Sequence, residues 1–221
     1  MIKTHPTALM LRAFAADELP LPLAVGVSAH CELCPDCAAR VKECEEELAR
    51  EHLMPDEPDE ALPPGFDAML AGILQQPAPP VSTRERHGLS APELRVAGQS
   101  YRLPRVLARH HDPRWRHLGA IRQHSLPLDE MGARASLLHI EAGGRIPEHT
   151  HKGYELTLLL AGTIEDGDTR YQAGDFIWRD ASHAHSPHTP DGCLCYTVQN
   201  APVQFTKGLS RLLNGISHRL Y

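Results

Sequence analysis

Hydrophobic positions follow two different rhythms along this chain. Up to residue 75 they recur at helical spacing, and beyond residue 92 they come in short runs broken by Gly, Pro and Asp. Thr7 suits the cap of a first helix running through Ala16, expected to bury Leu9 and Phe14; a second apolar stretch covers Leu21–Ala29. Pro35 suits the first turn of a third helix that continues from Asp36 to about His52. A fourth, Phe66–Gln75, sets Phe66, Met69, Leu70, Ile73 and Leu74 at i, i+3, i+4, i+7 and i+8, a single apolar stripe. Such a stripe can close a small helical core or dock in a partner's groove.

The later runs are of strand length: Tyr101–Leu107, Ala135–Ile140, Glu155–Leu160, Asp175–Trp178 and Leu194–Gln199, with turns such as Glu165-Asp166-Gly167-Asp168 between them. Many short strands at even spacing predict an antiparallel barrel or a double-sheet jelly roll. Pro-rich stretches at 54–65 and 76–81 punctuate the first half, and the second of them is where the charge changes sign. The fold class expected is therefore α+β as two domains. A small all-α domain spans 1–80, a linker 81–92, and an all-β domain 93–221.

Residues 1–80 carry 5 Lys+Arg against 14 Asp+Glu, net −9, and residues 81–221 carry 17 against 14, net +3, which together make the −6 of the chain. An acidic first half repels nucleic acid and suits a basic protein surface, although Glu43, Glu45, Glu46, Glu47 and Glu51 also fit a solvated helix face. The arginines between 84 and 122 read as scattered barrel surface, so no direct nucleic-acid contact is expected. No apolar run approaches the ~20 residues of a membrane span, and Met1–Pro6 lacks the apolar segment of a secretory signal. The expectation is a cytoplasmic protein with no membrane association. Six cysteines beside fifteen histidines then point to metal ligands or reduced thiols rather than disulfides.

The densest donor cluster is His30-x₃-Cys34-x₂-Cys37. Structural zinc takes four tetrahedral Cys or His ligands, and a Cys-x₂-Cys turn brings two sulfurs onto one ion. His30 lies one helical turn back and can reach the same ion. His5 is the candidate fourth ligand, because the two early helices can fold back on each other; Cys31 and Cys44 are less well placed. Together these residues resemble the zinc-binding anti-sigma factors, and the C-terminal half narrows the resemblance to the ChrR-type members, which join such a helical domain to a cupin domain. The resemblance implies Zn²⁺ on His5, His30, Cys34 and Cys37. It also implies a domain that wraps an extracytoplasmic-function sigma factor and blocks its contact with RNA polymerase core.

The stretch Gly143-x₅-His149-x-His151-x₃-Glu155-x₆-Gly162 resembles the first cupin motif. Residues 149, 151 and 155 share parity, so on extended backbone their side chains face one side of the sheet. Counted from Gly174, the second cupin motif puts its ligand on His185, with His183 of the same parity as the runner-up and His188 further off. Asp180 stands where that motif usually has Pro. Three histidines and a carboxylate suit a divalent ion, Zn first, with Mn, Fe or Ni also accommodated.

Cys193-x-Cys195 places two thiols on one strand face, either as small buried hydrophobes or as an oxidant-sensitive pair, the latter implied by the resemblance. Direct bridging of i and i+2 is poor geometry. The function expected is a non-enzymatic anti-sigma factor that releases its sigma factor on an oxidative signal, singlet oxygen or organic peroxide, and so regulates transcription. The alternative is a cupin metalloenzyme such as a dioxygenase with an N-terminal zinc appendage.

Overall fold

The computed structural model describes residues 1–53, 63–77, 93–110, 113–182, 184–208, 211 and 214. The expected linker at 81–92, Arg84, Arg86 and His183 lie outside the described residues. Among the described residues four helices come first: α1 (Ala8–Ala15), α2 (Leu21–Leu33), α3 (Pro35–Leu53) and α4 (Phe66–Leu74). Thr7 caps α1 by accepting a hydrogen bond from the Met10 N–H. The apolar side of α1 is set differently from the expectation: Leu9 is 79% exposed, whereas Leu11 is buried and Phe14 packs with it. Leu11 and Phe14 are three apart and share the inward stripe; Leu9 falls off it.

Among the described residues eleven strands follow, all paired antiparallel. A hairpin of β1 (Glu93–Val96) and β2 (Gln99–Arg102) leads into a 3₁₀ helix at Arg105–His110. The strand expected over Tyr101–Leu107 thus stops at Arg102. Pro104 cannot donate to a ladder, and the Glu32 carboxylate of α2 accepts from the Arg105 and Val106 N–H groups at 2.8 and 3.1 Å, holding the start of the 3₁₀ turn. Then come β3 (Arg116–Leu118), β4 (Ile121–Glu130), β5 (Ala133–Ile140), β6 (His149–His151), β7 (Glu155–Asp166), β8 (Thr169–Gln172), β9 (Phe176–Arg179), β10 (Cys193–Gln199) and β11 (Val203–Phe205). The main sheet runs β3-β4-β5-β10-β7-β8, with β9 also paired to β7, and β6 pairs with β11. Helices followed by a cupin-type β-sandwich is the fold class expected.

Alternation along the central strands gives the sheet two apolar faces. On β10, Cys193 and Cys195 turn inward with Ile140, Leu159, Ile164, Tyr171 and Ile177. Leu194, Tyr196 and Val198 turn outward, into a larger cluster that also holds Leu156, Leu158, Leu23, Val27, Leu11 and Val41. Helix α2 lies across that outer face and touches β4, β5, β7, β10 and the 3₁₀ helix. The Tyr196 hydroxyl, buried, donates to the Pro22 carbonyl at 2.7 Å. Full burial of one Leu or Val is worth about 1.5–3 kcal/mol, against at most about 1 kcal/mol for an exposed ion pair such as Arg12–Glu51. Apolar area therefore holds the helices to the sheet.

The approach is close at Gly26, where an added Cβ would sit 2.6 Å from Leu156 Cδ2 and 3.2 Å from Tyr196 Cε1. Replacing it with a large side chain overpacks this contact. Gly26→Leu is expected to destabilise the chain by about 1–3 kcal/mol in chemical denaturation.

Candidate functional site

Among the described residues two groups of donors converge, and each contains the residues expected from sequence. In both groups the ligand atoms lie within 4.8 Å of one another.

The first joins His5, His30, Cys34 and Cys37. Pro35 opens α3 immediately after the bend that ends α2 at Cys34, so Cys34 and Cys37 sit on either side of a helix start and His30 on the last turn of the helix before it. His5 arrives from the extended segment ahead of α1, with its Nδ1 at 3.5 Å from Cys34 Sγ and 3.4 Å from Cys37 Sγ. The His30 Nδ1–H donates to the Gly174 carbonyl at 2.9 Å, which fixes the tautomer and leaves Nε2 as the free nitrogen. That Nε2 is buried without a hydrogen-bond partner. An orphaned imidazole nitrogen facing two thiols and a second imidazole is what a tetrahedral S₂N₂ ion needs, so the residues fit structural zinc. Burial, helped by Cys34, pushes the Cys37 thiol up to about 12, and burial lowers His30 to about 4. Without a cation the Cys37 thiol stays protonated; a bound dication would displace that proton. Cys31 and Cys44 are half-buried and stand outside the group.

The second group is His149, His151, Glu155 and His185. Strand β6 supplies the two inward histidines, the first residue of β7 the carboxylate, and the bridge between His149 and His185 the last ligand. His151 Nε2 lies 3.1 Å from His185 Nε2 and 3.2 Å from Glu155 Oε2. The far nitrogens are occupied in two of the three rings: His149 Nδ1 donates to the Pro147 carbonyl at 2.9 Å, and His185 Nδ1 to Asp166 Oδ2 at 3.0 Å. Three Nε2 atoms and one carboxylate oxygen thus converge, and they fit a divalent ion. Glu155 accepts from Gln199 at 2.6 Å, and burial raises its pKa. Burial and the neighbouring histidines lower His149 to about 4 and His151 to about 3, so both rings are neutral donors at pH 7. His188 stands apart, paired with Glu165.

Sequence reasoning did not single out the residues behind His185. Asp166 is held below the usual carboxylate range chiefly by its hydrogen bond to His185. Its oxygen also accepts from Arg179, whose guanidinium donates to the Tyr171 hydroxyl at 2.8 Å. The available signal was the charged pair Asp166 and Arg179 beside the two cupin motifs. Asp180, the departure from the motif, accepts from the Ser182 N–H and makes its own turn. A small cavity of about 40 Å³ adjoins the ligands, walled by Ile140, Ile164, Ile177 and Cys195. Cys193 and Cys195 are fully buried with sulfurs 3.9 Å apart, on the face expected. The helix Phe66–Leu74 buries none of its residues, and Ile73 and Leu74 are 55% and 75% exposed.

A helical four-donor module set against a cupin with its own donor set defines a two-part protein with two potential metal centres. Residues 104–204 match the family described as the ChrR cupin-like domain. Over 219 residues, 96% of this chain and 96% of the relative, the chain is 33% identical to the anti-sigma-E factor ChrR of Cereibacter sphaeroides. The crystal structure of Rhodobacter sphaeroides SigE in complex with the anti-sigma ChrR superposes with a TM-score of 0.64 at 29% identity, covering 90% of this chain and 99% of that one. The chain belongs to the ChrR family of anti-sigma factors. Its role is regulatory, and no helix among the described residues is long and apolar enough to cross a membrane.

Two outcomes follow from the geometry. Asp166→Ala should weaken the cupin site about 10- to 100-fold, read by chelator competition, with the N-terminal site unaffected. The second concerns pH. In the metal-free chain, unfolded histidines take protons near 6.5, while His30, His149 and His151 stay neutral down to about 3–4. Their contribution is present above 6.5 and lost as pH falls towards 4, by up to about 1.4 kcal/mol per pH unit for each ring. The urea midpoint of the stripped protein should therefore drop between pH 7 and 4.5; a flat midpoint would contradict it.

Proposed function

We propose that the protein binds and inhibits an extracytoplasmic-function sigma factor, and that an oxidative signal, singlet oxygen or organic peroxide, releases it to activate transcription. Residues 1–80 form the sigma-binding unit, 81–92 the linker and 93–221 the sensor. The observation that carries this reading is the closed S₂N₂ cluster. Four protein donors leave no open position for chemistry, so the ion there, Zn²⁺, shapes a module for a partner.

The partner surface includes the Phe66–Leu74 helix. Phe66, Met69, Leu70, Ile73 and Leu74 present an apolar stripe beside an acidic half-chain, and helix-in-groove docking buries such a stripe. The sensing side is the cupin, with His149, His151, Glu155 and His185 holding a divalent ion, Zn first and Mn, Fe or Ni as alternatives. The ion would supply Lewis acidity beside the small cavity. Glu155 and the three imidazoles hold it, the aliphatic walls keep bulk water out, and Cys195 presents its thiol to the same space, with Cys193 behind it. Oxidation at that pair is the redox event of this reading. The site of action is the cytoplasm, with no direct contact to nucleic acid.

Co-expression with a sigma factor encoded beside it should give a complex that co-purifies. Cys34→Ser or His30→Ala should abolish it together with the zinc, and Ile73→Glu should weaken it roughly tenfold or more. His149→Ala should leave the complex intact in unstressed cells and blunt its release by oxidant. Failure to bind any sigma factor of its own genome sinks the reading.

A further inference from the structure

All four donors of the N-terminal site belong to the helical half, yet two of them are held by the sheet. His30 points its far nitrogen at the Gly174 carbonyl, and its ring stands edge-on to Phe176 at 5.6 Å. His5 follows a short extended segment laid along the entrance to β9. The Phe176 N–H donates to the Thr4 carbonyl at 3.0 Å. The Asp175 carboxylate, fully buried, accepts from the Lys3 and Thr4 N–H groups on Oδ1 at 2.6 and 2.9 Å, and from the Gln172 N–H on Oδ2 at 2.8 Å. Ile2 packs down on Gly174, where even a Cβ would come within 2.5 Å of its Cδ1.

We propose that Asp175 is a positioning residue of the N-terminal metal site: its carboxylate fixes the segment Ile2–His5 on the cupin. Together with the Gly174 carbonyl it sets both histidine ligands. The inference rests on the assignment of His5, His30, Cys34 and Cys37 as zinc ligands. Cys34 and Cys37 are placed by the α2–α3 junction alone. His5 has no such support, because it is exposed and precedes α1 on backbone outside any helix or strand. An acceptor that gathers two consecutive N–H groups immediately before it supplies the order that regular structure does not. Strand β9 then runs from this anchor to Arg179, the partner of Asp166 behind His185. The supports of the two metal sites thus stand at opposite ends of one strand.

The test uses the full-length, zinc-loaded chain, with a colorimetric chelator to extract the ion and Co²⁺ substitution to read its ligands. Asp175→Ala should weaken zinc retention about 10- to 100-fold and shift the thiolate-to-Co²⁺ absorption as His5 loosens, with the cupin ion kept. Asp175→Asn, which retains one acceptor oxygen, should fall between. Lys3→Pro removes one N–H donor from the other side, together with the exposed Lys3 Nζ bond to the Arg170 carbonyl, while leaving every cupin residue in place. It should move both readouts in the same direction, and it decides the matter if Asp175→Ala does not fold. Tyr196→Phe, which cuts a helix–sheet contact away from the site, should change neither. Unchanged retention and spectrum in Lys3→Pro or in folded Asp175→Ala overturns the proposal, as does an equal effect of Tyr196→Phe. A wild-type chain that takes up no zinc on Cys34 and Cys37 overturns the ligand assignment itself, and the proposal with it.

Discussion

The structure depends on one sheet being apolar on both faces. A cupin needs only its inner face for a core, and Cys193, Cys195, Leu159 and Ile177 supply that on β7, β9 and β10. The outward residues of the same strands, Leu156, Leu158, Leu194, Tyr196 and Val198, are equally apolar and equally buried. That surface cannot face water without cost, and α2 is what covers it. Several features that join the two halves follow from this cover. The Gly26 contact, the Tyr196 hydroxyl on Pro22 and the Glu32 cap on the 3₁₀ turn are refinements of one apolar seam.

Charge treats the two metal centres differently. Two thiolates and two neutral imidazoles would cancel a dication, so the N-terminal site could hold one without leaving net charge beside the buried His30, Cys34 and Cys37. Three neutral imidazoles and one carboxylate leave a dication half compensated. Asp166 stands behind His185 and is itself steadied by Arg179. Asp166 and Arg179 offset each other in charge, so the outer pair orients His185 without changing the net charge of the site.

Much of this was legible in sequence because short-range geometry fixes it. His30, Cys34 and Cys37 are one turn apart around a Pro-initiated helix, and His149, His151 and Glu155 share strand parity; spacing alone brings each trio together. Thr7 as a cap and α4 as an amphipathic stripe are likewise local. The misses are non-local. Leu9 and Leu11 are both apolar, and the packing of α1 on α3 and α2 decides which is buried. The chain after Arg102 reads as a strand until Glu32, more than seventy residues earlier, captures its N–H groups. Asp166 reads as an ordinary turn residue and Asp175 as the start of a strand, since their partners are distant in sequence or are backbone atoms that carry no residue identity.

The uncovered helix α4 has a consequence for supply. Ile73 and Leu74 stand in solvent, and on the reading proposed above the partner is what covers this stripe. Any excess of this chain over its partner would put such stripes within reach of one another, and self-association would then compete with complex formation. Solubility and stoichiometry become the same constraint, and matched rates of synthesis for the two proteins are the simplest way to meet it.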